Sequence, residues 1–246
     1  CGDTNLELWG IDTSTLNVEG VVGALRGEST AEGDFQFTFE TPRIPGYETV
    51  GDISQFPTGQ ISFSANPDIV DIAVLDTGID FGQYFNQVPS ATEYLYGVSG
   101  STDCPSAVGW NFVDDNDNIL DDNGHGTFVT KIITNTLDAG TVGYRILPVK
   151  LFDQNGQGSY WNVVCGFGYL KNVLDAGNNL DIVNASFGGT IEDQLFDEKG
   201  LLNIMIEELR SEGVLVVTSA GNEMEDTDGG PFKHFPSGYA ADNILA

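Results

Sequence analysis

His125 is one of only two histidines in a chain of 246 residues, and it stands between two glycines in Asp121-Asp122-Asn123-Gly124-His125-Gly126-Thr127. An imidazole changes charge near neutral pH, so it can take a proton and give it back. Glycines on both sides keep the approach to the ring open and let the loop turn tightly. Such a base needs a group that orients it. Asp76 ends the apolar run Ile-Val-Asp-Ile-Ala-Val-Leu (69–75) and precedes Thr77-Gly78. A buried carboxylate beside an imidazole fixes its tautomer and stabilises the imidazolium that forms when the ring takes a proton. A third group, Asn222, closes Val-Leu-Val-Val-Thr-Ser-Ala-Gly-Asn (214–222) and offers an amide NH2 to a developing oxyanion.

These groups do chemistry only if the fold brings them together, and the hydrophobic pattern indicates how. Residues 69–76, 144–152, 180–189 and 214–222 each carry a short apolar run of the kind that forms strands buried on both faces of a parallel sheet. Pro148 lacks an amide hydrogen and counts against the second run. Helical stripes lie between the runs. Residues 127–137 place Phe128 over Ile132 and Val129 over Ile133, with Leu137 continuing the stripe. Ser159 is placed to cap a helix with the stripe Val163, Phe167, Leu170 and Leu174, closed by Gly177. Leu202, Met205, Ile206 and Leu209 mark another, ending at Gly213. Alternating strands and helices predict an α/β fold for residues 61–246, a three-layer domain with a mostly parallel sheet covered by helices. Residues 1–60 read as a small β-rich N-terminal appendage or pro-region. There Phe35, Phe37 and Phe39 alternate along one strand face, with residues 18–25 as a hairpin partner.

A parallel sheet sends all its carboxyl ends to one edge, where ligands bind. Asp76, Ser186 and Asn222 each follow a predicted strand, and His125 opens a predicted helix, so all four are expected on one rim.

Four motifs carry a further resemblance. Val-Leu-Asp-Thr-Gly-Ile-Asp (74–80), Asn-Gly-His-Gly-Thr-Phe-Val (123–129), Val-Asn-Ala-Ser-Phe-Gly-Gly (183–189) and Thr-Ser-Ala-Gly-Asn-Glu (218–223) occur in this order. Together they resemble the subtilisin-like serine proteases over residues from about 65 to 246. The resemblance implies a serine endopeptidase with Asp76 as the orienting carboxylate, His125 as the general base and Asn222 as the oxyanion amide. It implies that Ser186, Phe187 and Gly188 form an edge that pairs with a polypeptide substrate. Two departures stand out. The family usually reads His-Gly-Thr-His-Val-Ala-Gly, whereas this chain has Phe128, Thr130 and Lys131 in place of the second histidine and the small residues. The Gly-Thr-Ser-Met-Ala-like motif that carries the nucleophile does not follow Asn222. The serine is therefore expected from a missing C-terminal segment or a second chain, and these residues alone are expected to be inactive. The alternative is a non-catalytic pseudoprotease that binds peptides. Ser237, in Pro-Ser-Gly, is expected to be a turn residue, and His234 nearby reads as a loop histidine.

Composition narrows the partners. Thirty-seven acidic residues against nine basic ones give a formal charge of −28. That excludes a nucleic-acid partner, which needs clustered cations, and suits a secreted or cell-envelope protein. Cys1 at the start resembles a processed bacterial lipoprotein, which would place a lipid anchor there; Cys104 and Cys165 would then remain as a possible disulfide. Val74-Leu75-Asp76-Thr77-Gly78 also fits an aspartic-protease signature, but that chemistry needs two carboxylates and no second such motif occurs. Zinc lacks a ligand pattern. Calcium is the metal expected, as a structural ion in Asp-Asp-Asn-Asp-Asn-Ile-Leu-Asp-Asp-Asn (114–123), with Asp114, Asp117 and Asp122 as ligands.

Overall fold

The apolar runs that end in polar residues become strands of one sheet. The computed structural model describes residues 38–42, 44–47, 61–62, 68–80, 95–98, 104, 106, 108–192, 200–222 and 230–246. In chain order the described elements are β1 (Thr38–Glu40), β2 (Ile61–Ser62), β3 (Ile69–Asp76), β4 (Leu95–Tyr96), β5 (Trp110–Asn111), α1 (His125–Ala139), β6 (Gly143–Lys150), β7 (Gln157–Ser159), α2 (Tyr160–Asp175), β8 (Ile182–Ala185), β9 (Gly189–Glu192), α3 (Leu201–Ser211), β10 (Leu215–Thr218), β11 (Phe232–Phe235) and β12 (Ile244–Leu245). Eight strands form the main sheet in the order β12-β10-β8-β3-β6-β4-β2, with β5 also joined to β6. Its pairings are parallel.

Alternation along β3 divides the core. Ala73 and Leu75 face a large cluster that includes Val163, Phe167 and Leu170 of α2 and Leu202, Ile206 and Leu209 of α3. Ile72 and Val74 face the other way, against Val129, Ile133 and Leu137 of α1. Helices thus cover both faces, as the α/β reading expects. Ser159 caps α2 through its hydroxyl, which accepts from the Asn162 amide. Gly177 and Gly213 take positive φ just past α2 and α3.

Several expectations need correcting. Pro148 does not break its strand. It falls between Ile146, where β6 pairs with β4, and Val149–Lys150, where β6 pairs with β5, so a missing amide hydrogen costs little there. In α1 the stripe through Ile132 does not face the core, because Ile132 is 66% exposed. Val129, Ile133 and Leu137 of the predicted stripe do pack on the core, beside a fully buried face of Gly126, Thr127, Thr130 and Thr134, and Thr130 folds its hydroxyl back onto the Gly126 carbonyl at 2.8 Å. Thr130 therefore fits the close packing that the family pattern reserves for a smaller residue. The Cys104–Cys165 pairing is not made: Cys165, buried in α2, is in no disulfide. In the appendage, Phe39 is buried between exposed Thr38 and Glu40, as alternation requires, but the partner of β1 is β7 of the main domain. Phe35, Phe37, residues 18–25 and Cys1 lie outside the described residues.

At the far end of the sheet from the polar strand ends, Asp71 faces Arg145 across β3 and β6. Both are 1% exposed. The carboxylate accepts from Nε and a terminal guanidinium nitrogen, each at 2.6 Å, and the guanidinium lies 4.4 Å from the Tyr96 ring centroid. Removing one partner strands a buried charge. We predict that Asp71→Ala costs about 3–5 kcal/mol in urea unfolding, and that adding Arg145→Met recovers much of it.

Candidate active site

The site forms where β3 ends and α1 begins. Asp76 is 1% exposed at the last position of β3. His125 is the first residue of α1. The Nδ1 atom of His125 lies 2.8 and 3.0 Å from the two carboxylate oxygens of Asp76, and the Thr77 amide donates to the same carboxylate at 2.7 Å. With Nδ1 committed to the carboxylate, the neutral ring carries its proton there and presents the Nε2 lone pair. The imidazole is only 13% exposed.

The electrostatics follow from this contact. Burial pushes the Asp76 carboxyl up, opposed by the hydrogen bond and charge of His125 and by the Thr77 amide. Burial alone would lower His125, but the hydrogen bond to Asp76 and the charges of Asp76 and Asp121 outweigh it and raise the imidazole above its ordinary value.

Close approach of two backbones makes the pair possible. A Cβ on Gly126 would collide with the Gly78 carbonyl oxygen and sit 3.0 Å from Asp76 Cβ. Gly124 has φ of 105°, and the ring of Tyr47 covers it, so that a Cβ there would come within 2.5 Å of Tyr47 Cγ.

Ser186, Phe187 and Gly188 lie between β8 and β9 at the same edge of the sheet. The Ser186 hydroxyl is engaged with the Asn184 side chain. The Phe187 side chain is 2% exposed and belongs to the core, where it meets Phe39 and Phe152 with ring centroids 5.5 and 4.9 Å away. Gly188 forms an antiparallel bridge with Glu40. Asn222 is exposed just beyond β10. The structure thus joins Asp76 to His125 directly and sets the other predicted residues at strand ends on the same edge.

Ser237 lies in a turn, as expected, but the reading of His234 changes. His234 is not a loop residue: it sits in β11, 2% exposed. Its ring lies against Gly188, where any Cβ would strike it, and its Nδ1 is 2.7 Å from the Ser237 hydroxyl. No local residue pattern signals this, because the β9–β11 pairing that brings the two together spans some forty residues. Asp76 meets an imidazole and not a second carboxylate, so the aspartic-protease geometry is absent from this contact.

The predicted metal ligands do not converge. Among the described residues, no group of three or more histidine, cysteine, aspartate or glutamate side chains is arranged to hold a metal ion. The Asp114 carboxylate accepts from the Asn111 side chain at 3.1 Å. Asp117 is exposed. Asp122 takes the buried ammonium of Lys150 at 2.7 Å. Asparagine side chains brace the 111–120 turns instead: Asn111, Asn116 and Asn118 each accept from a backbone amide further on.

The model of the Subtilase family matches residues 68–246. The chain belongs to the subtilase family. It is 28% identical over 223 residues to the minor extracellular protease Epr of Bacillus subtilis, covering 79% of this chain and 32% of Epr. It is 27% identical over 222 residues to a subtilisin-like protease of Coccidioides posadasii, covering 78% of this chain and 53% of that one. The chain therefore spans about a third and about half of these relatives. The crystal structure of a cold adapted subtilisin-like serine proteinase matches with a TM-score of 0.43 and 25% identity, over 65% of this chain and 50% of that chain.

In this subtilase the His125 titration reports the pair directly. We predict an imidazole pKa above the ordinary 6.5, read by NMR of the ring protons. Asp76→Asn removes the charge that raises it and leaves the burial that lowers it, so the titration should move below the wild-type value.

Proposed function

We propose that these residues form the base-and-cleft portion of a secreted serine endopeptidase. The observation that carries the reading is the Nδ1–carboxylate contact of His125 with buried Asp76. In the proposed reaction a serine hydroxyl from outside these 246 residues attacks the scissile carbonyl carbon. Nε2 of His125 takes the hydroxyl proton as the new C–O bond forms, and Asp76 stabilises the resulting imidazolium. The Asn222 amide donates to the oxyanion. His125 then returns the proton to the departing amine as the C–N bond breaks. In subtilisin itself, a family relative, losing the oxyanion amide costs about 2.7–4 kcal/mol of transition-state stabilisation. Secretion is supported by the acidic composition and by an extracellular protease among the relatives. No described helix is long and apolar enough to cross a membrane.

A polypeptide substrate is supported by what the chain itself places at the Gly188 edge. β1 lies between β7 and Gly188, antiparallel to both. The Thr41 amide donates to the Gly156 carbonyl at 2.8 Å and continues the pairing. Phe39 is fully buried, with Phe187 and Phe235 edge-on at 5.5 and 5.0 Å and Tyr160 stacked at 6.2 Å. An extended segment anchored by one aromatic side chain is how strand addition binds peptides. In this reading part of the N-terminal region, Thr38–Glu40, fills the position of a substrate strand, which makes the region a pro-segment.

Two experiments test the reading in the whole secreted protein. A serine-directed fluorophosphonate should label it covalently, and His125→Ala should abolish the labelling. A folded wild-type protein that resists the reagent and cleaves no peptide would instead favour a peptide-binding pseudoprotease. Phe39→Ala should loosen the segment's hold, the truncation of a buried phenylalanine costing about 3–5 kcal/mol. Cleavage of an added peptide should then rise; unchanged cleavage would separate β1 from the substrate position.

A further inference from the structure

Asp121 is fully buried, yet it takes no part in the proton transfer proposed for His125. Its carboxylate accepts from five donors among the described residues. Oδ1 takes the Thr77 hydroxyl at 2.8 Å, the Asn123 amide at 2.9 Å and the Gly124 amide at 2.8 Å. Oδ2 takes the amide and the hydroxyl of Thr127, at 2.9 and 2.5 Å.

These donors come from both halves of the site. Thr77 is covalently next to Asp76. Asn123, Gly124 and Thr127 bracket His125. The Thr77 hydroxyl also accepts from the Gly126 amide at 2.9 Å, so one oxygen ties the β3 end to both Asp121 and the start of α1. On the outer side, Thr127 Oγ1 accepts from the Asp80 amide at 2.9 Å.

We propose that Asp121 is a positioning residue for the reaction, a buried carboxylate that sets the register between Asp76 and His125 through Thr77 and Thr127. This rests on the reading of His125 as a general base. The geometry explains why the site needs such a group. Asp76 and His125 belong to different elements, and their bond tolerates only small errors. The amides of Asn123, Gly124 and Thr127 belong to the start of α1, where backbone donors have no helical partner. A buried anion satisfies several of them at once and is favoured by the positive end of the helix. The same charge has an electrical effect on the ring: the charged groups that act on His125 are Asp76 and Asp121, and both raise it.

The test uses Asp121→Asn in the whole protein. One amide oxygen still accepts, but the second acceptor and the charge are lost. A misplaced general base lowers turnover without weakening peptide binding, so kcat should fall by about 10- to 100-fold with KM within about twofold. The His125 titration and the acidic limb of the pH–rate profile should both shift to lower pH, because an anion that favours the imidazolium has gone. A second pair of variants guards against misfolding. Thr77→Val should lower kcat in the same way, and Thr77→Ser, which keeps the hydroxyl, should restore it. A purely structural Asp121 would give a lower melting temperature with wild-type kcat and wild-type His125 titration in the folded protein; that result overturns the proposal, as does equal activity of Thr77→Val and Thr77→Ser. If the wild type itself cleaves nothing, the protease reading fails separately. The His125 titration then still decides whether Asp121 acts on the ring.

Discussion

The contact on which the site depends is between two stretches of backbone. The start of α1 lies so close to the end of β3 that Gly126 has no room for a Cβ beside the Gly78 carbonyl. That approach is what puts the Nδ1 atom of His125 within 2.8 Å of Asp76. It imposes conditions on everything nearby. Residue 126 must be glycine, the helix face behind it must be narrow, and the polar groups trapped between the elements must be paired internally. Thr127, Thr130 and Thr134 supply the narrow face. Their side chains are short, and Thr130 closes its own hydroxyl onto the helix.

Internal pairing is the more demanding condition. Asp76, Asp80 and Asp121 are all buried within this region, in a chain that already carries a charge of −28. Burial of an unpaired carboxylate is prohibitive. The structure compensates mainly with backbone amides, hydroxyls and one imidazole, and less with cations. Lys150 is the buried cation at this edge; it spans from the Thr77 carbonyl at 2.5 Å to Asp122. Pairing by neutral donors leaves the imidazole of His125 free to change charge. A cation placed beside His125 would oppose its protonation, whereas amides and hydroxyls hold the carboxylates in place and leave their field acting on the ring.

Much of this was legible from residue patterns, and the boundary is physically sensible. Strand ends announce themselves because apolar runs stop abruptly, which is why Asp76 and the edges after β8 and β10 could be placed. His125 was legible from its glycines. The features that escaped are those set by contacts distant in sequence. Asp121 looked like one more acidic residue in an acidic loop; only its bonds to Thr77, forty-four residues earlier, distinguish it. Asp122, one position on, looked like a metal ligand for the same compositional reason and is instead a partner of Lys150. His234 resembled a loop residue because β11 is short and its pairing partner β9 lies far upstream. Alternation placed Phe39 on a strand, yet the strand's partner came from another part of the domain.

The position of β1 follows from the chemistry of sheet edges. An edge left open presents unpaired amides and carbonyls that invite another strand. A peptide-binding edge must keep that invitation, because substrate recognition uses the same groups. Here an intramolecular strand takes up the edge. β1 pairs in register with Gln157–Ser159, bridges to Gly188 and sinks Phe39 into the aromatic cluster beneath. A few residues on, Tyr47 lays its ring over Gly124 and bonds to Asp80 at 3.2 Å. The same stretch of chain therefore touches both the Gly188 edge and the loop that carries His125.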